Sequence, residues 1–268
     1  MTYIKGVDFS HWQSKVDFSK LVANDIEFAI FKAGEIPTGS KIEYADDMYP
    51  RNMREAKEYG IISGAYYFFH PAIGASRQAR HFLNLMDAYG WPDLPPVIDV
   101  EAKDARDPIT ISSVLKAMID GMMADPRYIE RYGTQKPIIY SRWGFLVNEV
   151  GNPAWLKDHY LWLAQYNTTL TYKPKDMSNV IMWQYTDRLR LPGIGVNLDG
   201  NYWLKSREEL HMLAGIEPPA VDNPAPEVYV SEEYEKALLA WNAVRGEEQS
   251  WESVLFRKML EAWRKVRG

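Results

Sequence analysis

Pro95-Pro96-Val97-Ile98-Asp99-Val100-Glu101 is a short apolar run that ends in two acids. The pattern predicts a strand over residues 96–101. Side chains alternate between the two faces of a strand, so Asp99 and Glu101 share one face, while Val100 points into the packing layer on the other. The stretch therefore predicts a strand with two carboxyls on the same face at its C-terminal end.

Seven other short apolar runs predict strands over 6–10, 28–33, 61–69, 137–141, 161–166, 180–185 and 196–199. Helical patterns lie between the early runs. One helix ends before Gly60, a second covers 75–89, and Asp107-Pro108 is typical of the start of a third. Eight strands with helices between the early ones predict an α/β fold, a TIM-like β/α barrel over residues 1–216. Helical patterns become sparse after Tyr140, so we expect an irregular barrel.

The composition excludes several classes of protein. The 268-residue chain has a net charge of -5 and no basic run, which disfavours a nucleic-acid partner. It contains no cysteine, which excludes disulfides, thiolate metal sites and cysteine nucleophiles. No apolar run approaches the ~20 residues of a membrane span, so we expect no membrane insertion. The first residues lack the apolar region of a signal peptide, so we expect synthesis in a cytoplasm.

The composition changes near Ile216. Residues 217–230 are rich in proline and predict an extended linker. Residues 231–268 carry two amphipathic helical patterns divided by Gly246, which predict a short helical tail, a hairpin. The tail is too small for a strong core of its own, so we expect it to pack on the barrel, self-associate or bind a partner.

Four acids fall at predicted strand ends: Asp8 at the first strand, Asp99 and Glu101 at the fourth, and Asp199 at the last. The carboxyl ends of barrel strands form the active site in enzymes with this architecture. Crowded acids raise one another's pKa, and a carboxyl that stays protonated can donate a proton to a glycosidic oxygen. A divalent metal site is the competing interpretation of the same acids.

Gly6-Val7-Asp8-Phe9-Ser10-His11-Trp12-Gln13 resembles the opening strand of glycoside hydrolase family 25, the Chalaropsis-type lysozymes. The resemblance covers about residues 3–205 and continues through 28–32, 64–69, 99–101, 161–164, 182–186 and 197–200. It implies a flattened barrel of five β/α units and three further strands, (β/α)5(β)3. It also implies N-acetylmuramidase activity, which cleaves the β-1,4 bond from N-acetylmuramic acid to N-acetylglucosamine in bacterial peptidoglycan, with no cofactor and no metal.

The resemblance also implies roles for individual residues. Glu101 matches the family's general acid/base, Asp99 its partner carboxylate, and Asp8 and Asp199 two further active-site aspartates. The sugar contacts expected from the family's aromatic groove are Tyr66, Tyr140, Tyr166, Trp183, Lys32 and Gln184. The chain departs from the family at Ala33-Gly34-Glu35-Ile36-Pro37, where the family often has a Thr-Glu-Gly-like turn.

We expect cleavage with net retention, in which Glu101 protonates the leaving oxygen and later deprotonates water. Asp99 either attacks the sugar or orients the substrate's own 2-acetamido group, and the short Asp-x-Glu spacing favours the second route. The alternatives are a non-catalytic wall-binding protein on the same barrel and a metal-dependent hydrolase. The expected setting is a phage or prophage enzyme that reaches the cell wall after release by a partner pore, and the alternative is a bacterial enzyme exported by another route. For the tail, we expect packing or self-association, with wall recognition as the alternative.

Overall fold

A computed structural model of the chain describes residues 3–216. The predicted linker (217–230) and helical tail (231–268) lie outside the described residues. Within residues 3–216, the strands are β1 (Ile4–Phe9), β2 (Ile26–Glu35), β3 (Tyr44–Ala45), β4 (Ile62–Phe68), β5 (Val97–Asp99), β6 (Ile138–Ser141), β7 (Leu161–Ala164), β8 (Val180–Leu189) and β9 (Leu198–Trp203).

The helices of the described residues follow mainly the first five barrel strands. They are α1 (Phe18–Ala23), α2 (Tyr49–Tyr59), α3 (Ala75–Tyr89), α4 (Pro108–Met123), α5 (Pro126–Tyr132), α6 (Trp143–Asn148) and α7 (Arg207–Leu213), with short 3-10 helices at His11–Gln13 and Ala154–Asp158. Gly60 ends α2 in the left-handed conformation, with a φ of 68°. Asp107 begins α4, because its side chain accepts a hydrogen bond from the Thr110 backbone N–H. No helix in this part of the chain has the length and apolar content needed to cross a membrane.

Eight strands close into a barrel, because β1 pairs with both β2 and β9. The order around the barrel is β1, β2, β4, β5, β6, β7, β8, β9, and β3 extends β2 outside the ring. Neighbouring strands are parallel from β1 round to β8, whereas β9 is antiparallel to both of its neighbours. The predicted barrel of five β/α units followed by three strands is confirmed.

The two faces of each strand pack into different cores. On β2, Ala29 and Phe31 lie in a large apolar cluster with Phe82 of α3 and Leu115 of α4, so this face is the outer one. Phe28 and Ile30 lie in a second cluster, which therefore fills the inside of the barrel. The alternation of the strands thus fixes which residues point inward.

The last strand runs differently from the prediction. The sequence pattern predicts a strand over 196–199 with Asp199 at its end, but β9 begins at Leu198 and continues to Trp203. Because β9 is antiparallel to β1, its beginning lies at the end of the barrel where β1 stops. Asp199 is opposite Asp8 in the register of the two strands, so it still reaches the predicted place.

Candidate active site

The carboxyl ends of the parallel strands surround a small open cavity of about 130 Å³. All four predicted acids line it, and so do four of the six predicted substrate contacts. The lining residues are Asp8, Tyr66, Asp99, Glu101, Tyr140, Trp162, Tyr166, Gln184 and Asp199. A larger cavity of about 580 Å³ lies near the opposite end of the barrel and is lined by none of the four acids. The acids therefore define the site better than cavity size does.

Asp99 and Glu101 come from the end of β5 and the segment after it. Asp99 is the last residue of β5, and the ladder to β6 continues one residue further, since Val100 N–H donates to Tyr140 O at 2.9 Å. Ser141 Oγ also donates to Val100 O at 2.6 Å. These bonds fix the backbone between the two acids, and both carboxyls therefore face the cavity.

Burial is the main cause that raises the pKa of each acid in this pair. For Asp99, the charge of Glu101 raises the pKa further, and the result lies well above the usual value of an aspartate. For Glu101, burial raises the pKa, while the charges of Arg142 and Lys32 oppose the increase. Asp99 Oδ1 is buried and has no hydrogen-bond partner among residues 3–216. The pair can thus hold a proton above the pH at which free carboxyls lose theirs.

Asp8 and Asp199 form a second pair of acids across the β1–β9 ladder. Asp199 is opposite Asp8 in the register of the two strands, and each carboxyl changes the pKa of the other. Burial and the charge of Asp199 raise the pKa of Asp8 well above its usual value. Burial raises the pKa of Asp199 to about 6. Two adjacent pairs, each able to share a proton, therefore occupy one cavity.

Asn201 holds Asp8 in place, and the sequence analysis missed it. This residue is fully buried, and its Nδ2 donates to Asp8 Oδ2 at 2.6 Å. Its Oδ1 accepts a hydrogen bond from Trp162 Nε1 at 2.8 Å. Asn201 is two residues after Asp199 on β9, and this spacing alone places both on the same face of the strand.

Gln184 connects Asp8 to the tyrosines. Its Nε2 donates to Asp8 Oδ2 at 2.9 Å, and its Oε1 accepts from Tyr140 Oη at 2.8 Å and from Tyr166 Oη at 3.1 Å. Every polar atom of this amide has a partner, so its orientation is determined. Tyr140 is buried, whereas Tyr166 is 55% exposed and presents its ring at the open side of the cavity.

Two predicted substrate contacts do not line the cavity. Trp183 lies on the face of β8 opposite to that of Gln184 and is 4% exposed. Its Nε1 donates a hydrogen bond to Gln165 O at 2.8 Å. Lys32 lies on the inward face of β2 and pairs with Glu35, Nζ to Oε1, at 2.6 Å. Its charge nevertheless lowers the pKa of both Asp99 and Glu101, so it acts on the site electrostatically.

The competing interpretation of the four acids is a metal centre. Within residues 3–216, no group of three or more His, Asp or Glu side chains is arranged to hold a metal ion. The arrangement that the structure does show is a set of protonatable carboxyls in a partly enclosed cavity, bordered by tyrosines. Such a set suits proton transfer to and from a bound substrate.

Residues 7–194 match the family model of glycosyl hydrolases family 25. Over 215 residues the chain is 31% identical to the uncharacterized protein YegX of Escherichia coli K12, a match that covers 77% of this chain and 72% of that protein. Over 220 residues it is 28% identical to lysozyme M1 of Streptomyces globisporus, covering 79% and 71% of the two chains.

Solved structures show the same fold. The lysozyme of Streptomyces coelicolor superposes with a TM-score of 0.65 at 24% identity, covering 80% of this chain and 98% of that one. A family 25 glycosyl hydrolase of Bacillus anthracis gives 0.62 at 25% identity, covering 79% and 94%. The chain belongs to glycosyl hydrolases family 25. It is a glycoside hydrolase.

Proposed function

We propose that this enzyme hydrolyses peptidoglycan as a lysozyme, a 1,4-β-N-acetylmuramidase. Glu101 is the general acid/base, and Asp99 assists the 2-acetamido group of the substrate. The observation that carries the proposal is the Asp99–Glu101 pair in one small cavity, with both pKa values raised by burial. The similarity to lysozyme M1 supports peptidoglycan as the substrate.

In the first half of the reaction, Glu101 donates its proton to the oxygen that leaves with N-acetylglucosamine. A raised pKa keeps a fraction of Glu101 protonated at pH values where a free glutamate is ionised. The nearby charges of Arg142 and Lys32 favour the carboxylate that remains after transfer. Glu101 can therefore both give and take a proton within a narrow pH range.

Asp99 assists the 2-acetamido group of the muramic acid. The acetamido oxygen attacks the anomeric carbon as the glycosidic bond breaks, and Asp99 accepts a hydrogen bond from the acetamido N–H. Its buried Oδ1, which has no partner among the described residues, is an acceptor suited to that role. Removal of the acetamido proton by Asp99 gives a neutral oxazoline.

In the second half, water attacks the anomeric carbon from the side that the leaving sugar occupied, and Glu101 takes its proton. The acetamido group re-forms and recovers its proton from Asp99, so the product keeps the β configuration. The rival route makes Asp99 the nucleophile. Detection of a covalent glycosyl–Asp99 species by mass spectrometry of the trapped enzyme would replace the assisted route with that one.

The glycan lies across the mouth of the cavity in this proposal. A cavity of about 130 Å³ is smaller than the roughly 300–1,000 Å³ of pockets that enclose a small ligand. We therefore place the reacting sugar in the cavity and the rest of the strand outside it. Tyr66, Tyr140 and Tyr166 border the reacting sugar, and the exposed Tyr166 ring offers a surface for stacking.

Mass spectrometry of digested peptidoglycan tests the bond that is cleaved. Muropeptides with a muramic acid reducing end are the expected product. A glucosamine reducing end would assign the enzyme to a different glycosidic bond, and cleaved stem peptides would assign it to a different reaction. Parallel digests in EDTA test the metal-dependent alternative, and we expect the same products at the same rate.

Glu101→Gln tests the acid/base. The amide keeps the size of the side chain but cannot donate the proton, so we expect turnover to fall by about a hundredfold or more. The melting temperature should remain close to that of the wild type. Glu58→Gln, at an exposed position of α2, is the matched control and should keep full activity. Wild-type rates in the purified Glu101→Gln enzyme would contradict the assignment.

The tail and the setting in which the enzyme acts stay predictions. Self-association or packing of residues 231–268 and release by a partner from a phage-infected cell have support only from the sequence pattern.

A further inference from the structure

Four charged side chains form a chain of contacts beside the catalytic cavity. Lys32 Nζ lies 2.6 Å from Glu35 Oε1, and Glu35 Oε2 lies 3.0 Å from His70 Nε2. On its other side, His70 Nδ1 lies 3.2 Å from Asp104 Oδ2. Lys32 and Glu35 lie on β2, His70 follows β4 and Asp104 follows β5, so the contacts join the end of one strand to two separate segments.

His70 occupies a position that suits an imidazolium ion. Both ring nitrogens face a carboxylate, and only the protonated ring can donate from both. The ring also lies 5.0 Å from the Phe68 ring, and Gln78 of α3 accepts from His70 N–H and donates to its carbonyl. Burial opposes the charge, but the two carboxylates outweigh it and raise the pKa of His70.

The carboxylate on the far side of His70 is held by an unusual backbone. Asp104 and the following Ala105 have φ values of 46° and 56°, in the left-handed region that residues other than glycine rarely adopt. Such a conformation persists where surrounding contacts hold it. Here the contacts are the two from Asp104 to His70 and a further one from Ala72 N–H to Asp104 Oδ2 at 3.4 Å. Asp104 is three residues after Glu101.

At the other end, Glu35 determines where the Lys32 ammonium sits. Lys32 is 8% exposed, with Nζ 5.4 Å from the centre of the Phe68 ring. Its charge favours the ionised forms of Asp99 and Glu101. Hydrogen bonds from His70 and Lys32 lower the pKa of Glu35 to about 2, so Glu35 stays an anion through the neutral range.

We propose that His70 is a positioning residue for the reaction. As an imidazolium between Glu35 and Asp104, it fixes the segment that follows Glu101 and the carboxylate that holds Lys32 beside Asp99. His70 contacts neither the cavity nor the reacting atoms, and it acts through these two carboxylates. The inference rests on the proposed function, because the reaction it supports is the one assigned to Glu101.

A titration of the histidine rings by NMR tests the first half of the proposal without substrate. The full chain has five histidines, and loss of one ring signal in His70→Gln assigns His70. We expect His70 to titrate above the ordinary value of about 6.5. Glu35→Gln and Asp104→Asn should each lower its titration point. A wild-type His70 that titrates at or below the ordinary value would overturn the proposal.

Steady-state kinetics on peptidoglycan, followed as release of reducing ends, test the second half. We expect His70→Gln and Asp104→Asn to lower kcat by about tenfold to a hundredfold, because the Glu101 carboxyl moves away from its catalytic position. KM should change by less than about threefold. Combining the two changes should cost little more than either alone, because both break one contact. Unchanged kcat in both single variants would overturn the proposal.

His159→Gln is the matched control for a merely structural loss. His159 is buried and bonds through Nδ1 to Pro137 O at 2.9 Å, just before β7, at the opposite end of the barrel. We expect it to lower the melting temperature as much as His70→Gln does, with kcat within about twofold of the wild type. An equal loss of kcat in both variants would assign His70 a purely structural role. The NMR titration is done without substrate, so its result does not depend on which glycosidic bond the enzyme cleaves.

Discussion

Asn201 shows how one neutral side chain organises a site of acids. Its amide accepts a hydrogen bond from the Trp162 indole and donates one to the Asp8 carboxyl. Among the described residues, no other group bonds to both. An amide can donate to the acid and accept from the indole at once, which a carboxylate cannot do. The orientation of Asp8 therefore depends on Asn201.

We predict that Asn201→Leu destabilises the fold and lowers activity. Leucine has a similar volume but leaves the Trp162 N–H and one side of Asp8 without a partner, which costs about 2–4 kcal/mol. Urea denaturation measures the loss. Asn148→Leu, at an exposed position of α6, is the control and should change stability by less than about 0.5 kcal/mol. Equal stability of Asn201→Leu and wild type would show that the bond to Asp8 contributes nothing.

The acids were predictable at the residue scale, whereas their supports were not. Alternation along a strand and the barrel rule are enough to bring Asp8, Asp99 and Glu101 together. Trp162 lies within an apolar strand, where an indole has the pattern of a packing residue, and the spacing of Asn201 from Asp199 indicates its face but not its partners. Their role arises from contacts between residues that are 39 and 193 positions apart, and no local pattern records those.

At the scale of the element, β2 carries an irregularity that serves the site. Its register with β4 shifts between Lys32 and Gly34, so an extra residue, Ala33, lies between them. This bulge lets Lys32 face the barrel interior while Glu35, three residues later, turns back to pair with it. Gly34 lies against the β3 backbone at the same point, where an added Cβ would meet Tyr44 O at 2.3 Å.

We predict that Gly34→Ala destabilises the fold by about 1–3 kcal/mol and lowers kcat, because the methyl group pushes β3 and Glu35 apart. Gly39→Ala is the matched control: nothing lies within 4 Å of its added Cβ, so we expect a change below about 0.5 kcal/mol. Chemical denaturation and kcat should be measured on both. If Gly34→Ala matches Gly39→Ala in stability and rate, the contact with β3 does not constrain Glu35.

Strand direction marks the limit of prediction at the element scale. The spacing of apolar runs was sufficient for eight strands and for the loss of helices after β6. It could not show that β9 turns antiparallel, because a six-residue strand has the same alternation in either direction. The bulge in β2 and the left-handed backbone at Asp104 and Ala105 were equally invisible, since both depend on contacts with other loops.

At the scale of the whole molecule, the barrel unit contains the entire proposed site. The family match covers residues 7–194, and every site residue named above lies within 3–216. We predict that a chain ending at residue 216 keeps kcat on soluble muropeptide substrates within about twofold. Light scattering and binding to insoluble walls, compared with the full chain, then test the predicted roles of the tail. A truncated chain that fails to fold would show that the barrel depends on it.

The four acids at the end of the barrel lower the stability of the fold at neutral pH. An acid whose pKa is raised on folding makes the fold less stable as the pH rises from the unfolded pKa through the folded pKa. Asp199 changes from an ordinary value of 3.8 to about 6. Its charge therefore opposes folding at pH 7 and has no effect below about pH 4, where both states are protonated.

We predict that Asp199→Asn is more stable than the wild type at pH 7, by about 1–3 kcal/mol, and less active. In a protein of this size, the corresponding rise in melting temperature is at least about 2 °C. The gain should shrink as the pH falls from 6 to 4, because protonation of Asp199 relieves the same repulsion in the wild type. Asp120→Asn, in an exposed pair with Lys116 on α4, removes the same charge far from the site and should show no such trend. If the stability difference between Asp199→Asn and the wild type is constant from pH 4 to pH 7, folding does not raise the pKa of Asp199. The four acids would then lie together at the barrel mouth without destabilising the fold.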